Sequence, residues 1–142
     1  MCGRYTIGDV HHLFRRFRVE EDPITVDARF NVSPSPHMPV IIRGDANHLS
    51  LMQWGLIPAW AKDLKAIKPM INARVEGILT KPTFRGPVRK HRCLVPANEL
   101  YEWQGTKGCK VPYHIRWMDK QLFAFAGIFD SWHREGGEVL ES

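Results

Sequence analysis

Short apolar or alternating segments, separated by turn-forming residues, run through most of this chain and limit the folds it can adopt. A period of two residues is typical of β-strands, and the intervening Gly, Pro, Asn and Asp residues are typical of turns. The sequence has no strand–helix–strand rhythm of the kind that builds parallel sheets. Seven strands are predicted, at residues 40–43, 48–57, 70–76, 92–96, 100–104, 111–117 and 122–132.

Helices are predicted to be few and short. Asp9 is a suitable N-cap for a helix in which Val10, Leu13, Phe14 and Phe17 share one apolar face. Residues 77–90 predict a second short helix followed by a loop. The sequence therefore predicts an α+β fold, built on a mostly antiparallel, barrel-like twisted β-sheet flanked by short helices.

The segments between the predicted strands are read as loops and turns. The turn Gly44-Asp45-Ala46-Asn47 joins two strands into a hairpin. Three prolines within residues 30–39 predict irregular structure there. Further loops are predicted at residues 20–29 and 58–69, and further turns at residues 107–108 and 119–120.

Length and composition favour a single domain over residues 1–142. Apolar residues make up 44% of the chain and charged residues 25%, which is ordinary for a globular protein. No apolar run approaches the ~20 residues of a membrane helix, and the N-terminus has no apolar core of a secretory signal. Residues 10–18 are basic and amphipathic like a transit peptide, but the acidic residues around them count against that reading. We expect an intracellular monomer, in the cytoplasm or nucleoid, or in the nucleus of a eukaryote.

The cysteine pattern argues against a disulfide framework and against a zinc site. The chain has three cysteines, Cys2, Cys93 and Cys109, and no Cys-x-x-Cys pair. Free thiols in a reducing compartment are the simplest reading, and we expect no metal and no cofactor.

Positive charge is concentrated in one part of the chain. Residues 60–92 contain nine basic and two acidic side chains, a local net charge of +7, whereas the whole chain carries +5. This pattern fits either a surface for nucleic acid or an ordinary solvated basic face. Four aromatic residues lie within and around this region: Trp54, Trp60, Phe84 and Trp103. Aromatic rings among basic residues are what binding of single-stranded nucleic acid requires. Core packing is the alternative, and it is favoured for Phe84 and Trp103.

Two predicted strands carry polar residues that could form a site. In residues 70–76 the period of two places Asn72, Arg74 and Glu76 on one face, which is either a solvated face or the floor of a polar site. In residues 100–104 the carboxylate of Glu102 is flanked by two aromatic residues. Partial desolvation would raise its pKa and make it a usable acid or base; the alternative is a surface glutamate beside a core aromatic pair.

Cys2 offers chemistry that an internal cysteine lacks. Removal of Met1 would leave an amine and a thiol on adjacent carbons. The amine can condense with an aldehyde to an imine, and the thiolate can then close a five-membered thiazolidine ring. Nearby Arg4 would favour the thiolate. A terminal cysteine without function is the alternative.

Together these segments resemble the SRAP family, the SOS-response-associated peptidase-like proteins that protect abasic sites. The similarity runs in order through nearly the whole chain, and the combination of the first and fourth segments is highly specific. The segments are Met-Cys-Gly-Arg-Tyr at 1–5, Asn-Val-Ser-Pro at 31–34, Trp-Gly-Leu-Ile-Pro-Ala-Trp at 54–60, Ile-Asn-Ala-Arg-Val-Glu at 71–76, Arg-Cys-Leu-Val-Pro-Ala at 92–97, Tyr-Glu-Trp at 101–103 and Phe-Ala-Gly-Ile-Phe at 125–129.

The resemblance implies covalent capture of abasic sites in single-stranded DNA, within the DNA damage and SOS response. Cys2 is then the nucleophile that forms a thiazolidine with the open sugar. Asn72 would hydrogen-bond the sugar and orient the Cys2 amine, and Glu102 would shuttle protons. The implied DNA contacts are Arg4, Trp60 as an aromatic wedge at a strand-to-duplex junction, Arg74, Lys81 and Arg85.

The chain departs from the family pattern at its end. Family members run on for several tens of residues and carry a histidine in a His-x-Arg-Met-Pro-like segment, which helps to open the sugar. His133 lies in Trp-His-Arg-Glu and does not match that segment. The resemblance therefore implies a domain shortened at the C-terminus, with weakened lyase-like activity. Retention of Met1 would acylate the Cys2 amine and forbid the thiazolidine.

Two other functions stay open from the sequence. A cysteine peptidase, as the family's older name suggests, needs a histidine base near Cys2, and His11 and His12 are available without a reason to point at the thiol. A non-catalytic module for single-stranded nucleic acid needs only the basic and aromatic residues, and its binding should fall steeply with salt.

Overall fold

The computed structural model describes residues 2–8, 12–20, 24–106, 108–134, 137 and 139–142. Within these residues the helices are α1 (Leu13–Phe17), α2 (Pro82–Arg85) and α3 (Pro87–Lys90), with 3₁₀ turns at Leu64–Ala66 and Val75–Gly77. The strands are β1 (Tyr5–Ile7), β2 (Arg29–Val32), β3 (His37–Arg43), β4 (Asn47–Gln53), β5 (Arg92–Ala97), β6 (Glu99–Thr106), β7 (Cys109–Arg116), β8 (Phe123–Ile128), β9 (Ser131–His133) and β10 (Val139–Glu141).

The strands form two four-stranded sheets and one two-stranded ribbon. The orders are β2-β1-β6-β7, β4-β3-β5-β8 and β10-β9, and the pairs between these strands are antiparallel. The predicted α+β class with mostly antiparallel strands is confirmed. Over the described part of the chain the two larger sheets stay separate and do not close into a barrel.

The predicted hairpin around residues 44–47 is confirmed as β3 and β4. The irregular structure predicted at residues 30–39 is confined to residues 33–36, because β2 ends at Val32 and β3 begins at His37. Pro39 is tolerated in β3 because the pairing with β5 covers only Ile41 and Ile42. At Pro39 the missing N–H therefore breaks no ladder hydrogen bond to β5.

The predicted strand at residues 70–76 is wrong. Met70 forms an isolated bridge with Leu56, the next residues have no regular structure, and Val75–Gly77 is a 3₁₀ turn. The Ile71 carbonyl accepts a hydrogen bond from a side chain and not from a neighbouring strand, because the indole N–H of Trp54 donates to it at 3.0 Å.

Two further predictions need correction. The single strand predicted at residues 122–132 is divided into β8 and β9 at Asp130, whose main-chain N–H and carbonyl both pair with Ser142. The helix predicted at the start of residues 77–90 is replaced by α2 and α3, later in that segment. Each of these begins with a proline, which suits the first turn of a helix because its missing N–H needs no partner there.

The main core lies between the two larger sheets and is closed by α1. Leu13 is fully buried, and Phe14 and Phe17 pack against the same cluster, which confirms the predicted apolar face. Asp9 and Val10 lie outside the described residues. The buried members of the cluster are Tyr5, Ile7, Leu13, Val19, Val32, Met38, Ile41, Leu49, Ala97 and Leu122.

A smaller cluster fixes the loop that follows β4. Ile57, Ala61 and Trp132 are buried together, and the Trp132 indole N–H donates to the Ala61 carbonyl at 2.7 Å. The Asp130 carboxylate accepts the N–H of Ala59 at 2.8 Å. These contacts hold the turn at residues 58–61 and with it Trp60, whose side chain is 60% exposed.

Candidate functional site

Cys2 lies immediately before β1 and is half-buried. β1 pairs with β6 through Tyr5 opposite Leu100, and the N–H of Tyr101 donates to the Arg4 carbonyl at 2.9 Å. This pairing carries Glu102, the next residue of β6, towards the N-terminal segment. The Cys2 thiol donates a hydrogen bond to the Arg4 carbonyl at 3.3 Å.

The surroundings of Cys2 disfavour its thiolate. Burial raises the pKa of the Cys2 thiol, and the negative charge of Glu102 acts in the same direction. The same interaction shows that the Glu102 carboxylate lies within electrostatic range of the sulfur. The charge of Glu102 thus acts on a thiol that keeps its proton more firmly than free cysteine does.

Asn72 reaches Cys2 from a distant part of the chain. Its side-chain amide donates to the Cys2 carbonyl at 2.8 Å. The segment that carries Asn72 is anchored at Met70, by its bridge with Leu56, and at the Ile71 carbonyl, by the Trp54 indole. The three residues predicted as catalytic, Cys2, Asn72 and Glu102, therefore come together although their segments are far apart in the sequence.

A cavity of about 320 Å³ opens beside this group. Cys2 and Asn72 form part of its wall. Most of the remaining wall is apolar and comes from the inner face of the sheet β4-β3-β5-β8 and from the segment at residues 70–84. The site is thus a small polar cluster at the side of an apolar cavity, which is the usual form of a small-molecule pocket.

Tyr5 and Trp54 are site residues that the sequence did not single out for these roles. Tyr5 is buried, and its ring makes edge contacts with Trp54 at 5.4 Å and Phe125 at 5.9 Å between ring centroids. Burial raises the pKa of the Tyr5 hydroxyl, and the nearby Cys2 acts in the same direction. Trp54, predicted as a possible base-stacking ring, instead anchors the Asn72 segment. No local sequence pattern indicates this contact.

Cys93 is a second thiol on the wall of the cavity. It is 8% exposed, and burial raises its pKa to about 11. Cys2, Cys93 and Cys109 are all free thiols. A Cβ at Gly127 would lie 2.6 Å from the Cys93 sulfur, so the close packing of β8 on β5 requires glycine at this position.

The residues predicted to contact DNA lie on the surface and are not gathered at one point. Arg4 is partly buried, and its guanidinium donates to the Asn31 side chain at 2.8 Å. Arg74, Lys81 and Arg85 are exposed. Arg85 also lines a second, shallow cavity together with Arg89 and Lys90.

Core packing was expected for Phe84 and Trp103, and it is found for Phe84 only. Phe84 is buried and lines the cavity beside Cys2. Trp103 is 43% exposed, because the hairpin β6–β7 extends beyond the core and all eight residues of β7 are exposed. Trp103 lies opposite Pro112 on this hairpin.

Among the described residues, no group of three or more His, Cys, Asp or Glu side chains is placed to hold a metal ion. No helix in this part of the chain is both long and apolar enough to cross a membrane.

Comparison with known families identifies the chain. The family model described as SOS response associated peptidase (SRAP) matches residues 1–142. The chain belongs to the SRAP family. This confirms the resemblance carried by the segments at residues 1–5 and 71–76.

Several curated relatives of this SRAP chain are named abasic site processing proteins. YoqW of Bacillus subtilis is 38% identical over 145 residues, and YoaM of the same organism is 40% identical over 151 residues. These alignments cover 99% of this chain but only 65% and 64% of the relatives, so the chain spans about two thirds of their length. HMCES of Gallus gallus is 33% identical over 143 residues, covering 78% of this chain and 43% of that protein.

Solved structures share the fold. A protein from Bacteroides thetaiotaomicron superposes with a TM-score of 0.87 at 29% identity, covering 99% of this chain and 65% of that one. A protein from Bordetella bronchiseptica superposes with a TM-score of 0.82 at 25% identity, covering 99% and 69%.

Proposed function

We propose that this chain captures abasic sites in single-stranded DNA covalently through Cys2, in response to DNA damage. The observation that carries the proposal is the hydrogen bond between Asn72 and Cys2 at the wall of one cavity, with the charge of Glu102 acting on the Cys2 thiol. The names of the curated relatives, abasic site processing proteins, support the same class of substrate.

The chemistry begins with removal of Met1, which frees the Cys2 amine. The open form of an abasic sugar presents an aldehyde. The amine adds to this carbonyl, the carbinolamine loses water to give an imine, and the sulfur then adds to the imine carbon. The thiol proton ends on the ring nitrogen, so the product is a thiazolidine and one water. The ring closure is intramolecular and gains a high effective concentration.

Asn72 positions the nucleophile in this scheme. Its bond to the Cys2 carbonyl fixes the main chain of residue 2, to which both the amine and the thiol side chain are attached. The two groups are then presented together towards the cavity. In the same scheme the Asn72 side chain also hydrogen-bonds the sugar.

Glu102 acts as the proton carrier. Burial holds the Cys2 thiol in its protonated form, so a base is required before the sulfur can attack. In this scheme the Glu102 carboxylate, whose charge acts on the thiol, takes that proton and returns a proton to the carbinolamine oxygen as water leaves.

Basic side chains at the surface hold the DNA backbone. Arg4, Arg74, Lys81 and Arg85 contribute positive charge, and the exposed ring of Trp60 is available to stack against a base. Because the contacts are to phosphates and a ring face, this binding discriminates little between sequences.

The geometry favours aminothiol chemistry over a cysteine peptidase. A peptidase needs a histidine within hydrogen-bond reach of its thiol. Among the described residues no histidine lines the cavity beside Cys2, and the thiol hydrogen bond goes to the Arg4 carbonyl. Glu102 is the carboxylate whose charge acts on the sulfur.

A denaturing gel with a single-stranded oligonucleotide that carries one abasic site tests the proposal. Intact mass first establishes that Met1 is absent from the purified protein. A slow band, and a mass equal to protein plus oligonucleotide less one water, are expected. Cys2→Ala should abolish the band, and Cys109→Ala, at an exposed free thiol, should keep it. A band that survives Cys2→Ala, or no band from a processed protein, would refute covalent capture; salt-sensitive binding alone would indicate a non-catalytic module.

A further inference from the structure

The cavity beside Cys2 is larger and less polar than a deoxyribose requires. It measures about 320 Å³, whereas an apolar protein cavity of roughly 150 Å³ already accepts benzene. The open sugar of an abasic site has five carbons, a free hydroxyl and two phosphate esters, and it gains little from an apolar wall. The size and the lining therefore fit a hydrocarbon group better than they fit a sugar.

The strand register shows which side chains form this wall. Ile42 pairs with Cys93 across β3 and β5, and Cys93 pairs with Gly127 across β5 and β8. Since directly paired residues share a face, alternate residues of these strands face the cavity together. These are Met38, Val40, Cys93, Val95, Phe125 and Gly127. Leu94, between Cys93 and Val95, is on the opposite face and is 40% exposed.

We propose that the Cys2 site also captures free apolar aldehydes, whose hydrocarbon group enters this cavity while the carbonyl meets the terminal aminothiol. The inference rests on the proposed chemistry of Cys2 and extends it to a second class of substrate. Medium-length aliphatic aldehydes and monocyclic aromatic aldehydes have the matching size and polarity. The cavity contributes affinity for the hydrocarbon group, and Asn72 and Glu102 keep the roles they have with the sugar.

The reaction balances without any further reagent. The Cys2 amine adds to the aldehyde carbon and a water leaves. The thiol sulfur then bonds to the same carbon, and its proton passes to the ring nitrogen. One C–N bond and one C–S bond form, the C=O bond is lost as water, and nothing is oxidised or reduced.

The test compares two saturated aldehydes that differ only in chain length, propanal and hexanal. Intact mass spectrometry follows the rate at which the processed protein gains each aldehyde less one water. The peptide Cys-Gly-Arg-Tyr-Thr, with the same terminus and no cavity, supplies the intrinsic ratio of the two rates. Each buried methylene raises affinity about fourfold, so the protein should favour hexanal over propanal by about tenfold or more relative to the peptide.

Two variants on one strand locate the effect. Val95→Phe fills the cavity and should return the hexanal-to-propanal ratio to that of the peptide, with the propanal rate retained. Leu94→Phe, one residue away on the opposite face, should keep the ratio. Because Val95→Phe could disturb folding, a second measurement uses unmodified protein: 1-hexanol, which fills the same space but has no carbonyl, should lower the hexanal rate towards the propanal rate.

Equal ratios for protein and peptide would overturn the inference, as would a preference that neither Val95→Phe nor 1-hexanol removes. The abasic-site assay separates this result from the proposed function. A protein that captures abasic DNA but shows no hexanal preference lacks this second substrate class. A protein that prefers hexanal but leaves abasic DNA free would refute the proposed function alone.

Discussion

The side-chain amide of Asn72 donates a 2.8 Å hydrogen bond to the carbonyl of Cys2 and so joins residues seventy positions apart. The contact fixes the main chain at the residue whose amine and thiol are proposed to react. It also depends on the Trp54 indole, which holds the neighbouring Ile71 carbonyl at 3.0 Å. The position of the nucleophile is therefore set by a tryptophan and an asparagine from a segment without regular structure.

Asn72→Ala should slow covalent capture while the protein stays folded. A hydrogen bond of this kind contributes about 0.5–1.5 kcal/mol, so loss of positioning alone should reduce the crosslinking rate between about twofold and tenfold. The rate is measured with abasic oligonucleotide on a denaturing gel, and stability by urea unfolding. Asn72→Gln, which keeps an amide donor, should recover part of the rate.

Asn47 provides the matched control for Asn72. Its side-chain amide also donates to a main-chain carbonyl, that of Phe17, at 2.7 Å, but in the support of α1. Asn47→Ala should lower the free energy of unfolding and leave the crosslinking rate of the folded protein unchanged. Equal loss of rate in both variants would show that Asn72 acts only through general stability.

Much of the sheet could be predicted from the sequence, because alternation and turn residues are local signals. The hairpin β3–β4 and the strands β5, β6 and β7 follow these signals closely. The failures occur where a distant group decides. Residues 71–74 alternate like a strand but bond to Trp54 and Cys2, and the strand predicted at residues 122–132 breaks because Asp130 pairs with Ser142.

The candidate site was predictable in part for the same reason. Cys2 stood out by its chemistry, and Asn72 and Glu102 by their places on the predicted strands and by the family resemblance. The cavity could not be predicted, since it is formed by side chains of β3, β5 and β8 with residues from 70–84. The 43% exposure of Trp103 could not be predicted from the sequence either, because it depends on how far the β6–β7 hairpin extends beyond the core.

Glu102→Gln should lower the pKa of the Cys2 thiol and yet slow the capture of abasic sites. The negative charge of Glu102 contributes to the raised pKa, so its removal makes the thiolate easier to form. The variant also removes the proton carrier, and such groups contribute about a hundredfold or more. The pH dependence of iodoacetamide alkylation measures the thiol pKa, and gel crosslinking measures capture.

Glu99→Gln is the control for that charge change on the same strand. The Glu99 carboxylate contacts His114 at 2.6 Å and Arg116 at 3.5 Å, away from the Cys2 thiol. Its removal should leave the alkylation profile of Cys2 and the capture rate unchanged. If Glu102→Gln lowers the thiol pKa while capture becomes faster, Glu102 is not the proton carrier and acts only as a charge.

Stability should fall at alkaline pH because of Cys93. Burial raises the pKa of this thiol from 9.0 to about 11. Between these values the unfolded chain loses the proton while the folded protein keeps it, so the contribution is present below pH 9 and is lost as pH rises to about 11. Two pKa units correspond to about 2–3 kcal/mol. Urea unfolding from pH 8 to 11.5 should show a steeper decline for the unmodified protein than for Cys93→Ala; equal slopes would contradict this account.

Trp60→Ala should weaken binding of single-stranded DNA with little change in stability. The ring is 60% exposed. Its turn is held by the hydrogen bond from Trp132 to the Ala61 carbonyl and by the Asp130 carboxylate, so the turn should remain when the ring is removed. Stacking on one base contributes about 1–3 kcal/mol, which corresponds to at least about a fivefold rise in the dissociation constant. Fluorescence anisotropy at fixed salt, with Cys2→Ala as background to exclude crosslinking, measures this change.

Trp117→Ala, at a tryptophan 62% exposed beyond β7, serves as the control and should bind normally. An equal loss in both variants would assign the effect to exposed rings in general, whereas unchanged affinity in Trp60→Ala would remove this turn from the DNA surface and leave binding to the basic side chains.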